Sequence, residues 1–439
     1  MIWNPEIETA PRWRLQALQL ERLKAALDWA AARIPFYREA RIKAGLDGGE
    51  IRRLDQLHRM RFTHKEHLRE SYPFGFFAVP LGEIIRIHAS SGTRGKPTVV
   101  GYTRRDLQVW REVMARSLAA AGAQPGDMIQ VAYGYGLFTG GLGFHDGAEH
   151  MGLTVVPVSS GNTLRQILVL RDFRPQGLAA TPSFALHIGE ALQEQGVDPR
   201  SVPLRYGLFG AEPWTEAMRR QLEELWGLRA VDFYGLSEII GPGVASECVE
   251  ARAGLHVNED HFLPEIIDPD SGEPLDPGQE GELVLTCLTK EALPLIRYRT
   301  GDVTSLDPEP CRCGRTLARI GRIKGRTDDM LVIKGVNVYP SQVEAALLTL
   351  GDLAPHYQIV VDRTEAFPKL AVHVEPSEEL VQGWGGFDAD RPEVSALRAR
   401  VAERIRGHLG LNPEIAVLAP KTIPRSEGKA VRVVERRGT

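Results

Sequence analysis

The stretch from residue 88 to residue 103, HASSGTRGKPTVVGYT, guides the interpretation of the whole chain. Positions 90–95 hold two serines, one threonine and two glycines. Glycine lets the backbone turn where a Cβ would clash, and hydroxyl and backbone N–H groups on such a loop can surround a phosphate. Strand-like residues stand on both sides, over 83–87 and 98–102. The residues by themselves therefore leave two interpretations open, a phosphate-binding loop and a Gly/Ser hairpin turn.

This loop differs from the P-loop of nucleoside triphosphatases. A P-loop has four residues between its glycine and its Gly-Lys, and Ser or Thr after the lysine. Here two residues separate Gly92 from Gly95 and Lys96, and Pro97 follows. The sequence therefore predicts a phosphate loop of another kind.

Composition and charge restrict the class of protein. The chain has 439 residues and a formal net charge of −4. This length predicts at least two domains, and the charge gives no reason to expect nucleic acid or an anionic membrane as a partner. No apolar run is long enough to span a bilayer, and the start lacks the apolar core of a signal peptide. Four cysteines do not form a disulfide framework in a chain of this size, so we expect a cytoplasmic protein.

The sequence predicts several strands and helices, which alternate regularly between residues 154 and 234. The predicted strands are 127–132, 154–158, 177–180, 206–209 and 230–234, and the predicted helices are 14–34, 104–122, 162–171, 184–195 and 215–224. Such repeated βα units imply a largely parallel sheet, in which ligands bind at the carboxyl ends of the strands. Two of these ends carry GAEP (210–213) and YGLSE (234–238).

Glycine and aromatic residues are mixed in YGYGLFTGGLG, residues 133–143. Flat apolar side chains beside glycines make a slot that suits a planar ring. The same residues are also compatible with aromatic core packing after a strand. Further along, short alternating segments over residues 255–302 predict antiparallel strands.

Cys248, His256, Cys311 and Cys313 form a second candidate site. Three thiolates and one imidazole would complete a closed tetrahedral zinc site. The C-x-C spacing of the last two cysteines is tighter than the common C-x₂-C, so free thiols and structural zinc both remain open.

The order of these pieces resembles the adenylate-forming superfamily of acyl-CoA ligases and adenylation domains, and most of all its phenylacetate–coenzyme A ligases. The shared motifs are the loop S-S-G-T-x-G-x-P, YGYGLFTGGLG, GAEP, YGLSE, TGD (300–302), GRTDD (325–329) and the lysine of SEGK (426–429). The resemblance implies an α/β protein with two domains. Residues 1–327 would form a large adenylation domain with mainly parallel sheets plus an antiparallel subdomain, and residues 328–439 a small mobile α/β domain.

The resemblance also implies a role for each matching residue. It assigns nucleotide binding to Ser90, Ser91, Gly92, Thr93, Gly95, Gly210, Ala211, Glu212, Pro213, Tyr234, Gly235, Asp302 and Arg326. It assigns the acid pocket to Tyr135, Phe138 and Gly141, and the coenzyme A channel to Gly335, Val336 and Tyr339. Glu238 would bind Mg²⁺, Asp328 would be the domain hinge, and Lys429 would be catalytic by bridging the carboxylate and the α-phosphate.

The implied function is that of an aryl-acid–coenzyme A ligase that uses ATP and Mg²⁺ and works through an acyl-adenylate. The resemblance is also compatible with a homodimer. Residues 143–147, GFHDG, depart from the family, which tends to have a small residue at position 144 and an aromatic one at 146. Other aryl acids, such as hydroxyphenylacetate or benzoate, therefore remain alternatives. Two further alternatives are a stand-alone adenylation protein that loads a carrier thiol and a zinc-bearing nucleotide-binding protein without ligase activity.

Overall fold

The computed structural model describes residues 1–46, 51–90, 96–327, 331–333, 336–362, 369–426 and 431–436. These residues form two compact units, which are described one at a time. The first comprises Met1–Ala180, Arg200–Ala211 and Leu228–Ile323, and the second comprises Thr181–Pro199, Glu212–Gly227 and Lys324–Thr439. The domain boundary predicted between residues 327 and 328 stays a prediction.

The first unit is a mixed α/β structure. Its helices are α1 (Pro5–Glu8), α2 (Arg12–Arg33), α3 (Pro35–Lys43), α4 (Lys65–Glu70), α5 (Arg104–Ala120), α6 (Gly140–Met151) and α7 (Thr163–Phe173). Its strands are β1 (Arg86–Ser90), β2 (Thr98–Tyr102), β3 (Met128–Val131), β4 (Thr154–Val156), β5 (Gly177–Ala180), β6 (Tyr206–Gly210), β7 (Arg229–Leu236), β8 (Gly241–Ser246), β9 (Leu255–Val257), β10 (Phe262–Ile267), β11 (Glu280–Cys287), β12 (Tyr298–Asp307) and β13 (Arg319–Ile320). Short 3₁₀ turns cover Leu54–Arg59 and Leu81–Glu83, and another covers Pro199–Ser201, whose first residue belongs to the second unit.

One large sheet organises this unit, in the order β10-β11-β12-β13-β9-β8-β7-β6-β5-β3-β4. Strands β3 to β7 pair in parallel, which confirms the predicted parallel sheet. The pairing becomes antiparallel between β7 and β8 and stays so to β10. The predicted antiparallel subdomain is therefore a continuation of the same sheet.

One local prediction differs from the structure, and one segment without a prediction forms a helix. The strand expected over 83–87 begins later, at Arg86, because Leu81–Glu83 forms a 3₁₀ turn. The glycine-rich segment after residue 139 forms helix α6, although glycine disfavours helices. Its glycines permit close packing on α5: a Cβ at Gly147 would lie 2.2 Å from the Cβ of Met114.

The second unit combines a pair of helices with a small α/β layer. Its helices are α8 (Pro182–Glu194), α9 (Glu216–Trp226), α10 (Pro340–Leu347), α11 (Glu378–Gly383) and α12 (Pro392–Leu409). Its strands are β14 (Gly325–Arg326), β15 (Leu331–Ile333), β16 (Val336–Val338), β17 (Leu353–Asp362), β18 (Lys369–Pro376), β19 (Glu414–Val417) and β20 (Val433–Arg436). The sheet runs β19-β18-β17-β20, and its core includes the buried Val343, Ile359, Val372 and Val401. Across the described residues of both units, no helix has the length and apolar character needed to cross a membrane.

A buried charge cluster around Asp260 ties α2 and α5 to the segment before β10. The Asp260 carboxylate accepts a hydrogen bond from Arg116 Nη1 at 2.8 Å, and Arg22 Nη1 and His261 Nε2 lie 3.4 and 3.1 Å from its Oδ2. Burial opposes the charge on Asp260, but the neighbouring cationic groups lower the pKa of this carboxyl to about 2. Burial lowers the pKa of His261 to about 4; the Asp260 carboxylate opposes this shift, and Arg116 and Arg22 add to it.

These shifts predict that His261 makes the protein less stable in acid. An unfolded histidine has a pKa of about 6.5, so between pH 6.5 and pH 4 the unfolded chain binds a proton that the folded chain does not. The free energy of unfolding should therefore fall by about 3 kcal/mol as the pH is lowered through this window. Urea unfolding of the wild type and His261→Gln, followed by tryptophan fluorescence, measures this contribution.

The matched control is His408→Gln, which replaces an exposed histidine on α12. It should leave the pH dependence unchanged. A difference between the wild type and His261→Gln that is the same at pH 7 and pH 4 would contradict the assignment.

Candidate active site

Two of the predicted nucleotide motifs, GAEP and YGLSE, begin at the edge of the large sheet where its parallel strands end. Because β3, β5, β6 and β7 are parallel neighbours, their carboxyl ends meet there. Gly210, the last residue of β6, pairs with Phe233 of β7. GAEP and YGLSE therefore leave the sheet side by side, as the pattern of strands predicts.

Tyr234 and Asp302 are in direct contact in this part of the molecule. The Tyr234 hydroxyl donates a hydrogen bond to Asp302 Oδ2 over 2.5 Å, although the two residues are 68 positions apart. Both side chains are buried. The Asp302 N–H donates to the Thr300 hydroxyl at 3.0 Å, so TGD forms a local contact within strand β12. The structure thus brings together the residues expected to hold adenine and ribose.

Gly235 follows Tyr234 at a point where two backbone segments touch. A Cβ on Gly235 would lie 2.0 Å from the carbonyl oxygen of Gly241, so a side chain does not fit. The chain turns back there, and Glu238 lies inside this turn with 4% of its surface exposed. The Glu238 carboxylate is therefore held by a backbone that has little freedom to move.

Lys65 pairs with the carboxylate predicted to bind Mg²⁺. Its Nζ lies 3.0 Å from Glu238 Oε1. Lys65 is the first residue of α4, in the segment FTHKEHLRE. The sequence pattern there indicates only a short amphipathic helix, so it carries no signal for this contact.

The GAEP turn has unusual backbone geometry. Ala211 has a φ of +65°, a conformation that non-glycine residues seldom adopt and that is often found at functional sites. Glu212 accepts a hydrogen bond from the backbone N–H of Ser183 at 2.8 Å. Pro213 follows directly and restricts the chain after the turn.

Tyr135 is half-buried and belongs to a short chain of polar groups. Its hydroxyl lies 3.3 Å from His145 Nδ1, and His145 Nε2 lies 3.0 Å from Glu149 Oε1. Burial raises the pKa of Tyr135 above its ordinary value, and the nearby Asp146 and Glu149 add to this effect. Tyr135 therefore presents a neutral hydroxyl at neutral pH.

The other two predicted pocket residues differ in exposure. Gly141 is buried, and a Cβ there would lie 2.6 Å from the carbonyl oxygen of Gly134. Phe138 remains 43% exposed. Their roles in binding the acid stay predictions.

Phe144 and Asp146 are the two residues of GFHDG that differ from the residue types usual in the family, and both have structural contacts. Phe144 is buried in a ring cluster, stacked on Tyr133 at 5.3 Å and edge-on to Phe233 at 5.0 Å. For Tyr133 and Phe144, the core interpretation is therefore the correct one. Asp146 is also buried, and its Oδ2 lies 2.5 Å from Arg86 Nη1. This ion pair links α6 to β1.

The phosphate-loop candidate is carried by the β1–β2 hairpin. The last pair of this hairpin is Ser90 with Thr98. Ser91, Gly92, Thr93 and Gly95 lie outside the described residues. The Leu137 carbonyl accepts hydrogen bonds from the Ala89 N–H at 2.9 Å and from His88 Nδ1 at 3.1 Å, which ties the hairpin to the predicted acid pocket.

The remaining predicted residues belong to the second unit. Arg326 lies in β14, and Tyr339 precedes α10, with its N–H bound to Gln342 Oε1 at 3.0 Å. Val336 begins β16, whose backbone pairs with β15. Asp328, Gly335 and Lys429 lie outside the described residues.

The structure gathers the cysteine and histidine side chains into one cluster. The ligand atoms of Cys248, His256, Cys311 and Cys313 all lie within 4.8 Å of one another. The Cys248 and Cys311 sulfurs are 3.9 Å apart, and Cys313 Sγ is 3.6 Å from His256 Nε2. A tetrahedral zinc with bonds of about 2.3 Å to sulfur and about 2.0 Å to nitrogen requires edges of about 3.8 and 3.5 Å.

The chemistry of the donors also suits a metal. The hydrogen bond between Cys248 and Cys313 lowers the pKa of Cys313 well below that of a free thiol and raises the pKa of Cys248. Cys313 therefore supplies a thiolate, the form that binds zinc. The fourth cysteine of the chain, Cys287, is buried in β11 outside this cluster. It is part of the hydrophobic core of the first unit.

Comparison with known proteins gives matches along the chain. The family model described as AMP-binding enzyme matches residues 83–286, and the AMP-binding enzyme C-terminal domain matches residues 335–437. A phenylacetate–coenzyme A ligase of Thermus thermophilus is 54% identical over 99% of both chains. Its namesake from Escherichia coli is 48% identical over 98% of this chain and 97% of its own.

A solved structure gives the same picture of the fold. A 2-hydroxyisobutyryl-CoA ligase, crystallised in the postadenylation state with an acyl-AMP, matches with a TM-score of 0.91 and 30% identity. The match covers 98% of this chain and 92% of that one.

Proposed function

The chain belongs to the phenylacetate–coenzyme A ligase branch of the AMP-binding enzyme family, and we infer that it is an AMP-forming ligase that joins phenylacetate to coenzyme A. The observation that carries this inference is the 54% identity to a phenylacetate–coenzyme A ligase over 99% of both chains. The product would be phenylacetyl-coenzyme A, with AMP and pyrophosphate released.

The first half-reaction makes an acyl-adenylate. A carboxylate oxygen attacks the α-phosphorus of ATP, the bond from that phosphorus to the bridging oxygen breaks, and pyrophosphate leaves with the electron pair. This displacement needs no protein nucleophile, because positioning and charge neutralisation lower the barrier. We assign the adenine face to Tyr234 and the ribose hydroxyls to Asp302. Their mutual hydrogen bond supports this assignment, since it holds both groups ready before the nucleotide arrives.

Glu238 suits a hard cation that bridges protein and phosphate. Mg²⁺ prefers carboxylate oxygens and is commonly held by one or two carboxylates together with substrate phosphates. When bound, Mg²⁺ would neutralise charge on the phosphates. In the structure Lys65 is the counter-ion of the Glu238 carboxylate, so we expect Lys65 to move towards the phosphates when the metal is present.

The second unit would supply the remaining catalytic groups. We assign Lys429 to the developing charge between the carboxylate and the α-phosphate. In the second half-reaction the coenzyme A thiolate attacks the acyl carbonyl carbon, and AMP leaves. We propose that the small domain turns at Asp328 between the two steps, so that Lys429 withdraws and the segment with Gly335, Val336 and Tyr339 meets the pantetheine arm.

An unsubstituted aryl ring suits the pocket segment best. Tyr135 and Gly141 would form part of its wall. Because Asp146 is paired with Arg86, it gives no reason to expect a polar group on the ring. This favours phenylacetate over hydroxylated acids.

We also propose that the Cys248, His256, Cys311 and Cys313 cluster holds a structural zinc ion. The Cys248–Cys311 and Cys313–His256 separations agree with two of the tetrahedral edges to about 0.1 Å, and all four ligand atoms lie within 4.8 Å of one another. Four protein ligands leave no open position for a substrate, so the metal would join the loop with Cys311 and Cys313 to strand β9 and to the segment after β8.

The partners we propose are the small molecules of the reaction: the aryl acid, ATP and coenzyme A. We place the enzyme in the cytoplasm, where thiols such as the buried Cys287 remain reduced. The homodimer stays a prediction.

The function predicts carboxylate-dependent exchange of pyrophosphate into ATP. We expect the exchange to be strongest with phenylacetate in a panel that also contains hydroxyphenylacetates, benzoate, hydroxybenzoates, cinnamates and a medium-chain fatty acid. Product formation should then saturate with free coenzyme A. Strongest exchange with another acid would replace the substrate and keep the mechanism, and failure to saturate with coenzyme A would favour a carrier thiol.

Lys429→Ala should separate the two half-reactions. Loss of a cation at the reacting phosphate should lower exchange by about a hundredfold or more, while thioester formation from supplied phenylacetyl-AMP remains. The matched control is Lys421→Ala, which removes an exposed lysine paired with Glu194 and Glu378 in the same unit. If Lys429→Ala is folded and slows both half-reactions equally, the assigned role is wrong.

The zinc proposal predicts about one zinc ion per purified chain, measured by plasma mass spectrometry. Cys313→Ser should lose most of this metal. It should also unfold at a lower temperature, because the segments that carry the four residues are no longer joined by zinc. Cys287→Ser, which changes the cysteine outside the cluster, should retain the metal. Equal zinc content in Cys313→Ser and the wild type would refute the site.

A further inference from the structure

Lys290 is a buried lysine that no part of the proposed reaction uses. It lies in the segment between β11 and β12 and is only 5% exposed, which is uncommon for lysine. Its Nζ donates hydrogen bonds to the carbonyl oxygen of Ile239 at 2.7 Å and to that of Glu238 at 3.3 Å. It also lies 4.6 Å from the centre of the Tyr102 ring. The ammonium therefore sits directly behind the residue proposed to bind Mg²⁺.

Two further side chains hold the same stretch of backbone. The Tyr102 hydroxyl donates to the Ile240 carbonyl at 3.0 Å, and Trp110 Nε1 donates to the Pro242 carbonyl at 2.8 Å. Their rings are stacked 4.9 Å apart. Donors from β2, α5 and the segment after β11 thus converge on the carbonyls that follow YGLSE.

Lys290 is itself fixed from the other side. The Asp106 carboxylate on α5 accepts hydrogen bonds from the N–H groups of Glu291 at 2.7 Å and Ala292 at 3.0 Å. The Glu291 carboxylate in turn accepts one from the Thr103 hydroxyl at 2.8 Å. The backbone of Lys290 is therefore anchored to the helix that also carries Trp110.

We propose that Lys290 is a positioning residue that holds the Glu238 carboxylate where Mg²⁺ needs it. This rests on the proposed function, in which Glu238 is the metal ligand. A charged donor makes the stronger kind of hydrogen bond, and one of its two acceptors is the carbonyl of Glu238 itself. Mg²⁺ demands nearly ideal octahedral geometry. A small shift of this backbone would therefore weaken the binding of Mg²⁺ more than the binding of the nucleotide.

The test is calorimetric titration of the full-length protein with ATP, once with Mg²⁺ and once with EDTA. Lys290→Met keeps an unbranched side chain but removes the donors. It should weaken binding of ATP with Mg²⁺ about tenfold, as the loss of a charge-assisted hydrogen bond implies, and change binding in EDTA by less than about twofold. Lys290→Arg keeps a charged donor and should recover part of the loss.

The matched control is Leu288→Ala. It truncates a buried side chain two positions before Lys290, so it lowers stability by a loss of packing. It should leave the ratio of the two ATP affinities unchanged. An equal loss with and without Mg²⁺ in Lys290→Met, or no loss at all, would overturn the proposal.

A second variant keeps the test decisive if Lys290→Met does not fold. Tyr102→Phe removes only the hydroxyl that donates to Ile240, and it should weaken binding selectively in Mg²⁺ by about threefold. An equal change in both titrations would overturn the proposal. Since no acid is present, a wrong assignment of the acid leaves this test intact. Wild-type protein that binds ATP equally with Mg²⁺ and EDTA would overturn the role of Glu238 and this proposal with it.

Discussion

The packing of α2 and α5 in the first unit depends on the ion pairs of the buried Asp260 carboxylate. It balances Arg116 of α5 and Arg22 of α2, and losing one partner of such a pair costs about 3–5 kcal/mol because a charge is left buried. Helix α5 then carries Asp106 and Trp110, which fix the segments around Glu238. The element anchored by the core charge cluster is therefore also the support of the candidate active site.

Contacts between distant parts of the chain give the site its geometry. Tyr234 meets Asp302, and Lys65 meets Glu238. In a buried, low-dielectric setting, hydrogen bonds and ion pairs are stronger and leave few alternative arrangements. A site built in this way is organised before its ligand binds, which is what the stabilisation of a charged transition state requires.

In the cysteine cluster and the GFHDG segment, the sequence gives the residue types and the structure gives their contacts. The residue types in the cluster are those of a zinc site, but their spacing leaves free thiols as an alternative. Cys248 and Cys311 are 63 positions apart in the chain, and only the fold brings their sulfurs to 3.9 Å. In GFHDG the aspartate at 146 is compatible with a ligand contact or a solvated loop, and the structure shows a buried ion pair with Arg86.

The sequence by itself determined the α/β class, the parallel βα units, the order of the motifs and the family, because strand periodicity, glycine turns and motif chemistry are local properties of the chain. Only the tertiary structure decided that the antiparallel strands continue the main sheet, that residues 140–151 form a helix, and that Lys65 pairs with Glu238, Arg86 with Asp146 and Lys290 with two backbone carbonyls. These features depend on which distant groups meet. A lone lysine or arginine has the same local pattern whether it is solvated or buried against a carboxylate or a carbonyl, so its role becomes visible only when packing removes water from around it.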